Sequence, residues 1–338
     1  MPSIVYILPA SALHGGIRVI LEHAEGLQER GYEVLVVGPE PAPDWHPLTV
    51  PYRQIPLHEA GSIPKADICI GTFWTTVRPA FESGAPHVFH LCQGWEGVHR
   101  EYASILDQID ATYRLPIPKM LISAHLEPVL RQRYNAETHL LGQAIDCEFF
   151  VPGTFREKPQ PLTVGVVGPF GFRSKGIGEA LEGFRLARQQ GAKLEVHHAS
   201  ALPLSTEEDS LGVTDRFFHR LSTQEMVSFY HRLDLLVHPS HDEEGFPLPP
   251  LEAMACGVPV ALTRIGSFRV LPQDVALRFD AGQPETLAPL VLEASSGSLR
   301  RNLRQAGLAC ARSMSLDKVL DRIEETFAAS GASRQMPS

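Results

Sequence analysis

The sequence predicts an α/β protein made of two doubly wound parallel-sheet domains. Two of the observations behind this are local. Residues 3–38 read as strand, glycine loop, amphipathic helix and strand, and residues 162–198 repeat the same order. The third is size: 338 residues at 43% hydrophobic composition can fill two separate cores. Doubly wound sheets bind ligands beyond the carboxyl ends of their strands, so the loops that follow predicted strands are the places to search.

In the first half, residues 3–8 form a short apolar run of strand type, and residues 9–16 form a loop ending in Gly15-Gly16. Ile17, Ile20, Leu21, Ala24 and Leu27 share one face of a helix over 17–30, which Gly31 stops before a strand at 34–37. Residues 67–72 and 87–92 read as further strands, each running into a polar or aromatic loop. Residues 120–134 read as a helix carrying Arg131 and Arg133, against which Pro128 counts. From Leu140 to Pro152 the pattern becomes strand, acidic turn at Asp146 and proline exit, followed by a polar, proline-bounded stretch. In the second half, strands are expected at 164–167, 194–197 and 233–238, a glycine-containing loop at 168–175 and a helix at 177–190. The expected division is a first domain over 1–148, a linker over 149–161, a second domain over 162–312 and a terminal helical segment over 313–330.

Bulk properties exclude several classes. A net charge of -9 leaves no basic footprint for nucleic acid. Five cysteines with no Cys-x-x-Cys pair suggest neither a disulfide framework nor a zinc site. The histidines are scattered, and the adjacent pair His197-His198 alternates across a strand and cannot converge on one metal. No run approaches the length of a membrane span and the N-terminus lacks a basic signal-peptide region, so a cytoplasmic location is expected. Arg131 and Arg133 leave peripheral membrane contact open against the simpler reading of a solvated face. Oligomeric state is not legible.

The most informative stretch runs from Glu244-Gly-Phe-Pro-Leu-Pro-Pro-Leu-Glu252 into Ala-Met-Ala-Cys-Gly-Val-Pro-Val-Ala261. It reads as a loop, a proline-marked helix, a Gly257 stop and a new strand. Glu244 lies at the helix N-terminus, where backbone N–H groups favour an anion. Carboxylates beside such a site are explained by sugar or ribose hydroxyls, which donate to them. On continuous helix the two Glu would stand about 12 Å apart, beyond the roughly 5–9.5 Å of carboxylate pairs that flank one glycosidic bond. They suit the two ends of an extended ligand. Lys175, one of only six lysines, lies in a glycine loop opening a helix, and a cation there suits a diphosphate; a solvated loop lysine is the plain alternative.

This string resembles the Glu-x7-Glu motif of the retaining, nucleotide-sugar-dependent glycosyltransferases of family 4. The likeness is strongest over 233–263 and diffuse before 140. Ile145-Asp146…Phe150-x-Pro152 is similar to the family's interdomain segment. The resemblance implies a GT-B fold, two Rossmann-like domains facing a cleft, with the last helix, 316–327, returning to the first domain. It implies an enzyme that moves a hexose-type sugar from a nucleoside-diphosphate-sugar to a hydroxyl acceptor with retention, needing no further cofactor. The absence of an Asp-x-Asp string argues against a metal on the diphosphate.

Carried over residue by residue, Glu244 meets donor-sugar hydroxyls, Glu252 the ribose, and Gly245 and Phe246 offer backbone N–H groups between. Lys175 meets the diphosphate. The family's loop reads Gly-Arg-x(4–5)-Lys-Gly, whereas Pro169 or Phe170 occupies the arginine position here, so whether Arg173 substitutes stays open. Gly15 and Gly16 approach the donor phosphates. His14 beside them reads as a surface histidine. His90, Gln93 and Glu96 are all candidates for the position at the reacting carbon, and Trp74 and Trp95 for the acceptor. The backbone over 221–224 would read the nucleobase, although helix capping accounts for Ser222 equally well. The alternatives are a nucleotide-sugar epimerase or phosphorylase-like enzyme of the same architecture, and a non-catalytic nucleotide-sugar-binding module. A nicotinamide dehydrogenase is disfavoured because Gly-x-Gly-x-x-Gly is missing from the first loop.

Overall fold

A computed structural model describes residues 2–59 and 61–332. The chain divides into two compact units, one comprising the chain up to Ala144 and again from Leu316, the other Ile145–Ser315.

The first unit holds β1 (Ser3–Ile7), β2 (Glu33–Gly38), β3 (Tyr52–Gln54), β4 (Ile68–Gly71), β5 (His87–Cys92), β6 (Lys119–Leu121) and β7 (Thr138–Leu140). All pair in parallel in the order β3-β2-β1-β4-β5-β6-β7. The order reverses between β1 and β4. Parallel strands covered on both faces read as continuous apolar runs, as Ile4 to Ile7 and Ile68 to Ile70 do. On one face Val5, Ile7 and Cys69 pack with Ala80 of helix Trp74–Glu82. Elsewhere Phe89 meets Phe327 of helix Leu316–Ala329 at 5.3 Å between ring centroids. That helix also lies against helix Gly15–Glu29: a Cβ on Gly26 would sit 2.5 Å from Leu320. Arg30 reaches Asp321 at 2.7 Å and Glu324 at 2.6 Å.

The second unit holds β8 (Leu162–Val167), β9 (Leu194–Ser200), β10 (Arg216–His219), β11 (Leu235–His238), β12 (Val260–Thr263) and β13 (Ala276–Phe279). They too are all parallel, in the order β10-β9-β8-β11-β12-β13. Here the order reverses between β8 and β11. Val164, Val166, Leu235 and Val237 bury against Leu181 and Phe184 of helix Ile177–Gln189 and Leu287 of helix Pro284–Glu293.

Two local expectations change. The helix expected over 120–134 is strand β6 followed by helix Leu126–Tyr134, with Pro128 in its first turn. Proline fits there because first-turn N–H groups have no intrahelical acceptor. Arg131 and Arg133 are exposed, in keeping with the simpler reading of a solvated face, and each is ion-paired. Arg131 pairs with Glu127 at 2.8 Å and Arg133 with Asp110 at 2.9 Å. The stretch expected as a linker, 149–161, is fastened to the second unit. Gly153 N–H donates to the Cys256 carbonyl at 3.0 Å, Arg304 donates to the Gly153 carbonyl at 2.8 Å, and the buried Arg300 donates to the carbonyls of Arg156 and Glu157, each at 2.9 Å.

Candidate active site

The reversal between β8 and β11 places two loops side by side at the carboxyl ends of the second sheet. One follows β8 (residues 168–176) and opens helix Ile177–Gln189. The other follows β11 (residues 239–248) and opens helix Pro249–Ala255. The two loops pack backbone to backbone at Gly176. Its φ is 62°, and a Cβ there would sit 2.2 Å from the Pro239 carbonyl oxygen, so only glycine fits.

Lys175 and Glu244 meet across this junction, Nζ to Oε2 at 2.7 Å, with side chains 24% and 15% exposed. Neighbouring contacts set their positions. His241 N–H donates to the Ser174 carbonyl at 2.8 Å, and its Nε2 lies 2.9 Å from a carboxylate oxygen of Glu179, which also accepts from Gly282 N–H. Asp242 accepts from Gly266 N–H at 2.8 Å, and the Thr263 hydroxyl donates to the Ser240 carbonyl at 2.6 Å. His241 and Glu244 of this turn are thus tied to the loop after β8, and Asp242 to the loop after β12. Behind the turn, His238 is fully buried and bonded to the Ser240 hydroxyl at 2.8 Å. Burial first, and then the Lys175 charge, push its imidazole down to about 3, so it is neutral near pH 7.

Gly176 provides no side-chain cap to helix Ile177–Gln189, which leaves its first-turn N–H groups directed at the loop beside Lys175. Gly245 is half-buried. Phe246 is buried, edge-on to Phe268 at 6.1 Å. Arg173 is exposed on the single turn before Gly176. Glu252 differs sharply from Glu244: it is 3% exposed in the first turn of its helix, where its carboxylate accepts from the Tyr230 hydroxyl. Ser222 caps helix Thr223–Tyr230 through a reciprocal pair with Glu225, the capping role weighed for it from sequence.

In the first unit the reversal falls between β1 and β4, and the Thr72 hydroxyl bonds the Ile7 carbonyl across it at 2.6 Å. Gly15 and Gly16 form the first turn of helix Gly15–Glu29. His14 is its N-cap, Nδ1 accepting from Gly16 N–H at 3.1 Å. Gln93, from the loop after β5, donates to the Gly16 carbonyl at 3.0 Å. The structure thus joins two candidates that lie 77 residues apart.

Of the three strand-end candidates, His90 is the one that the structure removes from any surface. It is fully buried, its ring 4.9 Å from that of Tyr113, and its nitrogens have no hydrogen-bond partner among the described residues. Burial, and then the charge of buried Lys119, hold its imidazole well below the usual range. The two-residue alternation of β5 turns it into the layer beside helix Leu106–Tyr113. Glu96 is 8% exposed and accepts from Tyr113. Burial pushes its carboxyl up to about 7 against the lowering effect of that bond and of the Trp74 backbone. Trp95 is half-buried, its indole N–H donating to Tyr134 at 2.8 Å and Arg133 lying 5.1 Å over its ring. Trp74 packs edge-on to Tyr102 at 6.5 Å. Both tryptophans are therefore partly committed to the cluster around Cys92 and Tyr113.

Sequence reasoning missed Tyr230, Glu179, His241, Tyr113 and the buried pair His198–Glu208. Each acts on a partner supplied by folding, at a separation that no local pattern reveals. Among the described residues there is no group of three His, Cys, Asp or Glu that could hold a metal, and no helix is long and apolar enough to cross a membrane.

Residues 155–308 match the family model for Glycosyl transferases group 1. Over 66 residues the chain is 41% identical to a D-inositol 3-phosphate glycosyltransferase of Saccharomonospora viridis, a match covering 19% of this chain and 15% of that protein. Over 75 residues it is 40% identical to the lipopolysaccharide core biosynthesis mannosyltransferase LpsB of Rhizobium meliloti, covering 22% and 21%. The chain thus matches only about a fifth or less of the length of these curated relatives, both of them glycosyltransferases. Its fold is like that of sucrose-phosphate synthase from Thermosynechococcus elongatus, with TM-score 0.80 and 16% identity over 98% of this chain and 100% of that one. It is also like that of the Anabaena protein HepE in complex with UDP-glucose, with TM-score 0.77 and 14% identity over 97% and 100%. The fold is that of the GT-B class, with two Rossmann-like units in one chain.

Proposed function

We propose that this chain is a retaining glycosyltransferase that moves a sugar from a nucleoside-diphosphate-sugar to a hydroxyl acceptor. The observation that carries the reading is the Lys175–Glu244 pair, set where the second sheet reverses its order and inside the segment matching Glycosyl transferases group 1. Lys175 and the open first turn of helix Ile177–Gln189 stabilise the departing diphosphate, an electrostatic role at the point where charge develops. Glu244 accepts from donor-sugar hydroxyls. Gly245 and Phe246 present backbone N–H groups beside it, and exposed Arg173 supplements Lys175. Glu252, buried and bonded to Tyr230, acts on the ribose end of the donor by fixing this helix start. In the first unit, Gly15 and Gly16, with Gln93 bonded to Gly16, are assigned to the donor, Glu96 to the reacting carbon, and Trp74 and Trp95 to the acceptor.

In the transfer step the bond between the anomeric carbon and the diphosphate oxygen breaks, and the acceptor oxygen bonds that carbon on the same face. The acceptor proton passes to the leaving phosphate, so no protein nucleophile is consumed. A panel of nucleotide-sugars and hydroxyl acceptors, read by free nucleoside diphosphate and by NMR of the product's anomeric carbon, tests this. Acceptor-dependent release with retained configuration is expected. An inverted product would overturn retention, isomerised donor without acceptor would favour an epimerase, and donor affinity without turnover would favour a binding module.

A further inference from the structure

We propose that His198 and Glu208 form a buried pair that positions the Gly168 peptide for diphosphate binding, an inference that rests on the donor reading above. Gly168 is the first residue of the loop after β8. Its φ of 139° lies in the region that favours glycine, and its N–H donates to the Ala199 carbonyl at 2.9 Å. Its carbonyl oxygen meets His198 Nε2 at 2.6 Å. A carbonyl can only accept, so Nε2 carries the proton in that bond. The other ring nitrogen, Nδ1, bonds the Glu208 carboxylate.

The side chains of His198 and Glu208 are 0% and 2% exposed, so neither touches a ligand. Glu208 is brought in by the short helix Thr206–Ser210, whose cap Ser205 accepts from Glu208 N–H at 3.1 Å. Phe217 closes the other side of the imidazole, edge-on at 5.2 Å. A buried ionisable pair costs desolvation, which makes it a poor source of stability, but it does fix geometry. What it fixes here is the direction of one peptide. The Gly168 carbonyl is held against the imidazole, so its negative end does not oppose a diphosphate, and the Lys175 stem lies over Gly168, whose Cβ position is 3.5 Å from that side chain.

The test uses the full chain with His198→Leu, His198→Gln and Glu208→Gln. Binding of UDP, GDP and ADP, and of the matching nucleosides, is measured by calorimetry beside the melting temperature of the free protein. Expected for His198→Leu is a loss of about tenfold or more in diphosphate affinity, with nucleoside affinity within about twofold. His198→Gln, whose amide still donates to Gly168, recovers most of that loss. Diphosphate affinity equal to wild type, or equal losses for diphosphate and nucleoside, would overturn the inference. If His198→Leu does not fold, Glu208→Gln decides by the same ratio. Wild-type protein that binds no nucleoside diphosphate overturns the donor reading and this inference with it. Wild-type binding with unaffected variants overturns this inference alone.

Discussion

Replacing Gly176 by alanine tests whether the two loops are as closely interlocked as the geometry requires. Two costs combine. A φ of 62° puts an alanine in the left-handed region, at about 1–2 kcal/mol. The new Cβ would lie 2.2 Å from the Pro239 carbonyl oxygen and 3.0 Å from its carbon. An ordinary carbon–oxygen approach is about 3.3 Å, so roughly 1 Å of separation must open between two backbone segments, one leaving β11 and one entering a helix. Together these place the loss at about 2–4 kcal/mol, or roughly 5–15 °C in melting temperature. The same displacement pulls Lys175 from Glu244, so diphosphate affinity falls about tenfold. Differential scanning fluorimetry and calorimetric titration read the two effects. Gly171 is the control in the same loop: a Cβ there meets nothing within 4 Å and its φ is not positive, so Gly171→Ala stays within about 0.5 kcal/mol of wild type. A Gly176→Ala protein as stable as wild type, or a Gly171→Ala protein equally damaged, would refute the reasoning.

The remaining predictions concern single contacts. Burial raises the Glu96 carboxyl from 4.5 to about 7, so the folded chain holds that proton more tightly than the unfolded chain. Its contribution is complete below about pH 4.5 and is lost as pH rises to about 7, some 3 kcal/mol in all. Glu96→Gln removes that dependence, and melting curves of wild type and variant that stay parallel from pH 4 to 8 would contradict it. Tyr230→Phe deprives the buried Glu252 carboxylate of a donor and lowers stability by about 1–3 kcal/mol; a melting temperature unchanged within error argues against that bond. Arg30→Ala removes partly exposed pairs to Asp321 and Glu324 and costs about 0.5–1 kcal/mol, an effect that shrinks in 1 M salt. A loss that persists in high salt would mean that the arginine stem packs, with little role for its charge.

Much of the architecture was legible because parallel, doubly covered strands announce themselves as short apolar runs. Residues 3–8, 87–92 and 164–167 correspond closely to β1, β5 and β8, and residues 17–30 and 177–190 to the helices that follow β1 and β8. The stretch around 120–134 failed because β6 is only three residues long and its apolar content merges with the helix beyond it. The linker expectation over 149–161 changed for a different reason: the stretch is polar, proline-bounded and mostly exposed, yet Arg300 and Arg304, more than 140 residues away, tie its backbone to the second unit. At the site, Glu244, Lys175 and the glycine loops were visible as local strings. Their partners were not. Gln93 on Gly16, His241 on Glu179 and His198 on Gly168 are created when strand ends are brought together by sheet order, which sequence spacing does not encode. His90 was one of three open candidates, and its burial could not be read from the sequence, since a strand-end histidine points outward or inward according to a two-residue alternation whose register only the folded sheet fixes.

If Lys175 and Glu244 belong to the proposed diphosphate site, removing the lysine charge weakens nucleotide binding. Calorimetric titration of UDP, GDP and ADP into wild type and Lys175→Met tests it most directly. Wild type is expected to bind at least one of them, and Lys175→Met to bind the same nucleotide about 10–150-fold more weakly, the loss expected for a charge-assisted bond of about 1.5–3 kcal/mol. Equal affinity in the two proteins, or no binding to wild type, would contradict it.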